Sequence, residues 1–225
     1  MTKANQRLVI VGAGGAGSEA AWIAAQMGGA LTCIGFLDDN PSRWQTQIDG
    51  LPVLGGTVRA TSVLDPKTDV LHVAIGKPTV RRRIVTTLAL DGFRFATLIH
   101  PTAVIADTAT LGVGVMVGPL SVVAPYAAVG DHVAINSHVG VGHHSIVGAY
   151  ATLSPGVRIS GYSRIGQGVF LGSNAVILPK LEIGDGATIA ANSMVVRRVA
   201  PLYTVMGVPA RIVSKPASSE STARS

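Results

Sequence analysis

Four histidines fall within a span of 13 residues in the middle of the chain: His132, His138, His143 and His144. A histidine side chain ionises near neutral pH, so it can take a proton from a reacting group as a general base, or bind a metal ion. Near the N-terminus, residues 12–17 read Gly-Ala-Gly-Gly-Ala-Gly. Because glycines let a phosphate approach the backbone amides at the start of a helix, the residue types indicate both proton transfer and anion binding.

A period of six residues runs through the C-terminal half and decides where those histidines point. From Ile105 to Val195 every sixth residue is aliphatic, sixteen in succession, and the fifth position of each hexad is small or aliphatic. This period fits neither a helix nor simple strand alternation. It is typical of a parallel β-helix, in which three hexads make one triangular coil and residues eighteen apart stack. The chain has about five such coils, enough to bury a continuous core.

The corners of such a coil need residues that tolerate a positive φ angle. The fourth position of the hexad often supplies glycine or asparagine, at Gly114, Gly156, Gly168, Asn174, Gly186 and Asn192. His143 is the third residue of its hexad, so we expect its side chain to point out of the coil. One coil further along, Gly161 occupies the stacked position, and its missing side chain leaves space above the imidazole.

The N-terminal residues predict an α/β domain around the glycine run. The predicted order is strand, glycine turn, helix, strand and acidic pair, at residues 8–11, 12–17, 18–27, 31–37 and 38–39. This is the order of a dinucleotide-binding fingerprint. After a turn-rich segment at 40–56, we expect a strand at 70–75, a helix at 79–90 and a last strand at 93–99. These elements amount to a half-Rossmann (βαβ) domain, which is enough to bind a mononucleotide.

Open α/β sheets bind ligands at the carboxyl ends of their strands. The substrate-binding candidates are therefore Gly12, Gly14, Gly15, Asp38, Asp39, Gly76 and Lys77. An alternative stays open for Gly14 and Gly17, which could serve only to let the helix pack closely on the strand.

The chain is thus predicted to hold two domains. Residues 1–100 form the Rossmann-like nucleotide- or sugar-binding domain, and residues 101–216 form the β-helix with a C-terminal cap at 206–211. Residues 217–225 are polar and are expected to be a disordered tail.

Composition narrows the class of protein. The formal net charge is +6, but there is no recognisable nucleic-acid-binding motif and only 4% of residues are aromatic, so we expect no nucleic-acid partner. The run at residues 81–83, three arginines, is expected to be a solvated helix face. Cys33 is the single cysteine, which excludes an intrachain disulfide and favours a reducing compartment. With no secretory pattern at the N-terminus, a cytoplasmic location is expected.

Residues 108–130 carry no formal charge and could be mistaken for a membrane span. The six-residue phase runs through this stretch unbroken, however, and glycines and prolines interrupt it. A membrane partner is therefore not expected.

The order of these motifs, from the glycine run through Gly35-Phe36-Leu37-Asp38-Asp39-Asn40, His100-Pro101 and the hexads to Gly207-Val208-Pro209-Ala210, resembles one family over residues 7–213. It is similar to the hexapeptide-repeat sugar O-/N-acetyltransferases, which include sialic acid O-acetyltransferases and UDP-4-amino-sugar or perosamine-type N-acetyltransferases. The resemblance implies a left-handed β-helix, a homotrimer, an acetyl-CoA site between adjacent β-helices, and a sugar or nucleotide-sugar acceptor at the N-terminal domain.

The resemblance also implies roles for individual residues. The position of His143 corresponds to a general base that deprotonates the sugar amine or hydroxyl as it attacks the thioester. The backbone amide of Gly161 would stabilise the oxyanion, and Asn136 matches an asparagine near the thioester. Further candidates for acetyl-CoA binding are Ser173 and Ala191 at the pantetheine arm and Arg197 and Arg198 at the phosphates.

Three positions depart from the family pattern. An acidic residue usually stands beside the catalytic histidine, whereas here the neighbour is His144, which we count among the catalytic candidates. A histidine common about nine residues after the base is replaced by Thr152. A histidine common in the glycine turn is replaced by Ala16, so the reaction class is predicted more firmly than the sugar or nucleotide.

Three other functions would each account for part of the sequence. A hexapeptide-repeat zinc enzyme of the carbonic anhydrase type would need a third histidine ligand beside His138 and His143, and only His132 or His144, acting across subunits, could supply it. A nicotinamide-dependent oxidoreductase would need a second half-fold and leaves the β-helix unexplained. A non-catalytic trimeric scaffold differs in not binding acetyl-CoA. The sequence therefore predicts direct acetyl transfer to a sugar in glycan or polysaccharide biosynthesis, without a metal.

Overall fold

The computed structural model describes residues 6–216. The expected disordered tail at 217–225 lies outside these residues. An α/β unit comes first, and a stack of short parallel strands follows it.

The N-terminal unit is built on a six-stranded sheet. Its elements are β1 (Gln6–Val11), α1 (Gly15–Gln26), β2 (Leu31–Leu37), β3 (Gln47–Ile48), β4 (Leu51–Gly55), α2 (Ala60–Val63), β5 (Asp69–Val73), α3 (Pro78–Leu90) and β6 (Arg94–Phe95), with 3-10 turns at Pro41–Arg43 and Thr57–Arg59. The strand order is β3-β4-β2-β1-β5-β6. Strand β3 is antiparallel to β4, and the other neighbouring pairs are parallel. The half-Rossmann prediction is therefore confirmed.

Several local expectations for this unit were wrong. Helix α1 begins at Gly15, three residues before the predicted start. The turn-rich segment at 40–56 contains β4, which extends the parallel sheet beside β2. The strand expected at 93–99 is divided, because the N–H of Ala96 donates to Leu71 in the first sheet whereas the N–H of Leu98 donates to Val115 in the solenoid.

The solenoid consists of two-residue strands separated by corners. They are β7 (Leu98–Ile99), β8 (Val104–Ile105), β9 (Thr110–Leu111), β10 (Met116–Val117), β11 (Val122–Val123), β12 (Ala128–Val129), β13 (Ala134–Ile135), β14 (Gly140–Val141), β15 (Ile146–Val147), β16 (Thr152–Leu153), β17 (Arg158–Ile159), β18 (Arg164–Ile165), β19 (Phe170–Leu171), β20 (Val176–Ile177), β21 (Glu182–Ile183), β22 (Thr188–Ile189) and β23 (Met194–Val195). Each pairs in parallel with the strand eighteen residues away, as β13 does with β16. The resulting sheets have eight, six and five strands, counting β24 (Thr204–Met206) and β25 (Arg211–Ser214) in the first.

The hexad pattern forms the core as predicted. Fourteen of the sixteen repeated aliphatics are buried, and the two exceptions, Ile105 and Leu111, are half-buried in the first coil. Serines at the fifth position are satisfied within the coil. Ser121 Oγ donates to the carbonyl of Asn136 at 2.7 Å and accepts the N–H of Val139 at 3.0 Å. These buried hydroxyls therefore carry no desolvation penalty.

The corners adopt a positive φ, and they do so even where the residue is large. The six predicted glycines and asparagines all have φ between 55° and 77°. Residues such as His132, His144 and Tyr162 have the same conformation, with φ of 55°, 57° and 60°. A left-handed conformation costs a residue with a Cβ about 1 kcal/mol or more, so strand pairing on both sides of each corner imposes it.

The C-terminal residues close the solenoid. Strand β24 extends the first sheet beside β22, and β25 folds back on it in antiparallel fashion. Val205 and Ala210 are buried in the same core cluster as the hexads, as expected of a cap. Among the described residues, the helices are too short or too polar to cross a lipid bilayer.

Candidate active site

The corner between β14 and β15 carries His143, and its side chain is exposed as the register predicted. Gly161 lies on the same corner one coil further along. A Cβ added to Gly161 would lie 2.7 Å from both Cε1 and Nε2 of His143. The absent side chain therefore makes room for the imidazole itself, which packs directly against the glycine backbone.

His143 is in contact with a second imidazole. The Nδ1 atoms of His143 and His144 lie 3.2 Å apart, and the two rings meet edge to face at 88°. His144 is stacked on Tyr162 at 4.7 Å between ring centroids and is tilted against Tyr126 at 4.8 Å. In the described part of the chain, the hydrogen-bond partner of the His143 ring is this histidine rather than a carboxylate.

We call the corners that join the six-stranded to the five-stranded sheet the histidine edge. Along it, His143, Gly161, Pro179 and Arg197 follow one another at eighteen-residue intervals. At the strand spacing of about 4.8 Å, Arg197 lies about 14 Å from His143 along the solenoid axis. Its neighbour Arg198 is paired with Glu182 at 3.3 Å.

Three other candidates lie elsewhere on the solenoid. Asn136, Ser173 and Ala191 occupy the corners between the eight-stranded and six-stranded sheets, which we call the asparagine edge. The Nδ2 of Asn136 donates to the carbonyl of Leu153 at 2.8 Å. The structure thus divides the catalytic and coenzyme candidates between two edges of one chain and does not bring them together.

The glycine turn in the N-terminal unit contains glycines of two kinds. A Cβ at Gly17 would lie 1.9 Å from the carbonyl oxygen of Gly12, and one at Gly12 would meet Ala74 and Ile75. By contrast, a Cβ at Gly15 or Gly76 would meet no atom within 4 Å, and one at Gly14 would meet only the guanidinium of Arg43, at 3.6 Å. Close packing therefore explains Gly12 and Gly17, whereas Gly14 and Gly15 leave the turn open to a ligand.

Both acidic candidates are already engaged within the chain. Asp38 Oδ2 accepts the N–H of Ala13 at 2.8 Å and pairs with Arg43 Nη1 at 3.2 Å. Asp39 Oδ1 accepts the N–H and the hydroxyl of Thr57. Their carboxylates hold the loops of this edge in position. Sequence reasoning missed Arg43, because nothing in the turn-rich segment indicated that its guanidinium would lie over the glycine turn.

Arg81 connects the N-terminal unit to the solenoid through hydrogen bonds. The expectation of a solvated face was wrong for this residue, which is 2% exposed, although the adjacent arginines 82 and 83 are exposed. Its guanidinium donates to the carbonyls of His132, Tyr150 and Ala151 on the solenoid and of Ile75 in its own unit. Burial lowers the pKa of Arg81 to about 10.

Two buried histidines accompany Arg81 at this junction. Burial lowers the pKa of His72 to about 4 and that of His132 to about 4. A cavity of about 40 Å³ lies between them, and Ala16, Asn136 and Thr152 are among the residues that line it. Two of the positions that depart from the family pattern, Ala16 and Thr152, therefore face the same space, beside Asn136.

The structure does not gather the histidines into a metal centre. His132, His138 and His144 lie on three different edges of the solenoid. Across residues 6–216, no three histidine, cysteine, aspartate or glutamate side chains are arranged to hold a metal ion.

Comparison with known proteins agrees with both halves of this architecture. Residues 7–88 match the model of the PglD N-terminal domain, and residues 162–197 match the bacterial transferase hexapeptide (six repeats) model. A segment of 57 residues is 49% identical to serine acetyltransferase of Salmonella typhimurium. That match spans only 21% of the relative's length.

Solved structures match nearly the whole chain. The acetyltransferase domain of PglB from Neisseria gonorrhoeae is 33% identical, with a TM-score of 0.88, over 93% of this chain and all of that one. The same domain is known in complex with acetyl coenzyme A. PerB from Caulobacter crescentus, in complex with CoA and GDP-perosamine, is 29% identical with a TM-score of 0.85, over 92% of this chain and 97% of that one. The chain belongs to the family of hexapeptide-repeat sugar acetyltransferases that carry a PglD-type N-terminal domain.

Proposed function

We propose that the protein transfers an acetyl group from acetyl-CoA to the amino group of a nucleotide-linked sugar, with a hydroxyl group as the alternative acceptor. The observation that carries this proposal is the outward-pointing imidazole of His143, packed on Gly161 at an exposed corner. The complexes of its structural relatives with acetyl-CoA and with GDP-perosamine support the choice of substrates. The expected setting is bacterial-type glycan synthesis in the cytoplasm.

In the proposed reaction His143 acts as a general base through Nε2. The acceptor nitrogen attacks the thioester carbonyl carbon, a C–N bond forms, and the proton on nitrogen passes to His143. The oxyanion is stabilised by the N–H of Gly161, which donates to no backbone carbonyl among residues 6–216. The C–S bond then breaks, and the departing thiolate takes the proton from His143.

The histidine edge also offers a path for the coenzyme. Arg197 and Arg198 lie three coils beyond the imidazole on the same edge, and an extended pantetheine arm can cover about 14 Å of strand spacing. Cations at that distance suit the coenzyme phosphates. On the acceptor side, the open turn at Gly14 and Gly15 suits a phosphate, and we assign Gly76 and Lys77 to the same sheet edge.

A complete site on this proposal needs two chains. The histidine edge of one copy would meet the asparagine edge of the next, so that Asn136, Ser173 and Ala191 come from the neighbour. Two different edges in contact make a heterologous interface, which must close into a ring to give a finite assembly. For a triangular solenoid, the ring we propose is a trimer.

Free-thiol release from acetyl-CoA tests the activity, with a panel of UDP-, GDP-, dTDP- and CMP-linked amino and hydroxy sugars as acceptors. His143→Ala should lower turnover by a factor of about 100 or more. Leu202→Ala, at an exposed corner on the third edge of the solenoid, is the matched control and should leave turnover unchanged. Acceptor-independent release, or equal loss in both variants, would contradict the proposal.

Mixed assemblies test the shared site. His143→Ala and Asn136→Ala should each have low activity alone. After unfolding and refolding together in equal amounts, about a quarter of wild-type activity should return, because each edge of a heterologous interface is intact half the time. If mixing restores nothing, the site lies within one chain.

A further inference from the structure

His144 is held more firmly than an exposed side chain usually is. Tyr126, His144 and Tyr162 follow one another at eighteen-residue intervals along the histidine edge, so their rings form a column. The imidazole lies at 18° to Tyr162 and at 34° to Tyr126, with centroid distances of 4.7 and 4.8 Å. With a ring on each side, rotation of the His144 side chain is restricted. This leaves its Nδ1 directed at His143.

The contact between the two imidazoles can hold one proton. Their Nδ1 atoms are 3.2 Å apart, so one ring must donate and the other accept. If His144 donates, the proton of neutral His143 is on Nε2 and that atom cannot act as a base. If His143 donates, its Nε2 carries a free lone pair. The direction of this one hydrogen bond therefore decides whether His143 can accept a proton.

We propose that His144, held between Tyr126 and Tyr162, is a positioning residue that accepts the Nδ1–H of His143 and so keeps Nε2 of His143 free as the base. This inference rests on the proposed function. It assigns to a neutral imidazole the orienting task that a carboxylate performs in triads of other enzymes. A neutral acceptor forms a weaker bond to an imidazolium than a carboxylate does, so the stacked tyrosines supply part of the orientation by restricting the ring.

Two substitutions of His144 distinguish the role of its hydrogen-bond acceptor from the role of its stacked ring. His144→Phe keeps a ring between the tyrosines but has no acceptor. His144→Asn loses the ring but keeps an oxygen near the position of Nδ1, and asparagine tolerates the φ of 57° found here. Leu202→Phe, at an exposed corner with φ of 64° on the third edge of the solenoid, is the matched control.

The first measurement is the tautomer of His143, from nitrogen chemical shifts and long-range proton–nitrogen couplings in ¹⁵N-histidine-labelled protein at a pH where the ring is neutral. The His143 signals are identified by their loss in His143→Ala. Wild type, His144→Asn and Leu202→Phe should have the proton of His143 on Nδ1. In His144→Phe the Nε2–H form should become populated. A proton on Nε2 in the wild type, or no change in His144→Phe, would overturn the proposal.

The second measurement is steady-state kinetics with acetyl-CoA and the acceptor identified above. His144→Phe should lower kcat about 10- to 100-fold, by analogy with the loss found when partners that orient metal-bound histidines are removed, while KM for acetyl-CoA stays within about twofold. His144→Asn should recover part of that loss. A rise in KM with kcat unchanged would overturn the positioning role. A wild type without activity would refute the proposed function alone, because the tautomers still decide the role of His144.

Discussion

His132 and His144 are set in almost the same local structure. Both lie at corners of the solenoid with φ near 55°, and each is stacked on a tyrosine eighteen residues later, Tyr150 or Tyr162. Yet His132 is 6% exposed and its pKa is lowered by burial to about 4, whereas His144 is exposed. The N-terminal unit packs on the solenoid edge that carries His132, which we call the buried edge. It leaves the histidine edge, which is the open edge, exposed to solvent. Tertiary packing, rather than local sequence, therefore makes one imidazole part of a junction and the other part of the candidate active site.

The largest effect is expected from removing the hydrogen bonds that Arg81 makes across the buried edge. Arg81→Met would leave the carbonyls of His132 and Tyr150 without their donor, whereas the carbonyl of Ala151 still accepts the N–H of Ala134. Each unsatisfied buried group costs about 1–3 kcal/mol, so the free energy of unfolding should fall by about 4 kcal/mol. Urea unfolding monitored by tryptophan fluorescence measures this change in the free energy of unfolding, because both tryptophans, Trp22 and Trp44, lie in the N-terminal unit.

Arg83→Met is the control for that experiment, since Arg83 is exposed on the same helix. It should change the urea midpoint very little. Equal losses in the two variants would mean that helix α3 matters as a whole and that the hydrogen bonds of Arg81 do not.

At the open edge, Gly161→Ala should abolish most activity without unfolding the protein. The added Cβ would lie 2.7 Å from the tip of the His143 side chain, which can swing away into solvent. Displacing the base should lower kcat about 100-fold, with the thermal midpoint nearly unchanged. Gly140→Ala is the comparison, because its Cβ would approach only the side chain of Arg158, at 3.3 Å. Full activity in Gly161→Ala would argue against the observed position of the imidazole.

Acid should weaken the buried edge. His72 and His132 have pKa values lowered to about 4 in the folded protein, so below pH 6.5 the unfolded chain binds more protons than the folded chain. The contribution of these two histidines to the free energy of unfolding is therefore fully present above pH 6.5 and is lost as the pH falls towards 4. At pH 5 the loss is about 2 kcal/mol per histidine.

His132→Phe tests this directly. It keeps a ring on Tyr150 but cannot titrate, so the fall in unfolding free energy between pH 7 and pH 5 should be smaller by about 2 kcal/mol than in the wild type. Tyr150→Phe, which retains both the stacking ring and His132, should keep the wild-type slope. An unchanged slope in His132→Phe would mean that His132 is not buried neutral in solution.

The smallest effect is expected from the aromatic column. Tyr162→Phe keeps the ring that stacks on His144 and should alter kcat by less than about twofold, whereas Tyr162→Leu removes the stacking and should lower kcat a few-fold. Steady-state assays of both variants check this. A larger loss in Tyr162→Phe would indicate that the hydroxyl, not the ring, serves the site.

The solenoid could be predicted almost completely from the sequence because its core repeats. Each inward residue, such as Ile135 or Ile159, stacks on an equivalent residue one coil away, so period and register carry the fold. The outward direction of His143 follows from the same register. The general positions of the glycine turn and of α3 followed from their strand and helix patterns.

The remaining features depend on contacts that no local pattern contains. In the run of arginines 81–83, Arg81 is buried against the solenoid and the guanidinium of Arg82 lies over the ring of Tyr150, whereas Arg83 is exposed. Three adjacent arginines look alike in sequence. Asp38 and Asp39 have the spacing of ligand-binding acids, but that spacing does not reveal their hydrogen bonds with Ala13 and Thr57. The contact between His143 and His144 depends on a ring orientation that tyrosines eighteen residues away help to set.

Because each coil has eighteen residues, equivalent positions along the histidine edge are separated by steps of about 4.8 Å. Inserting one whole coil between Gly161 and Arg197 would move the arginines one step further from the imidazole and leave every inward side chain facing inward. Inserting a single residue would shift the register and turn core aliphatics towards water. The distance between the imidazole and the arginines can therefore change only in whole coils, so this fold can accommodate a longer or shorter co-substrate while the corner at His143 keeps its structure.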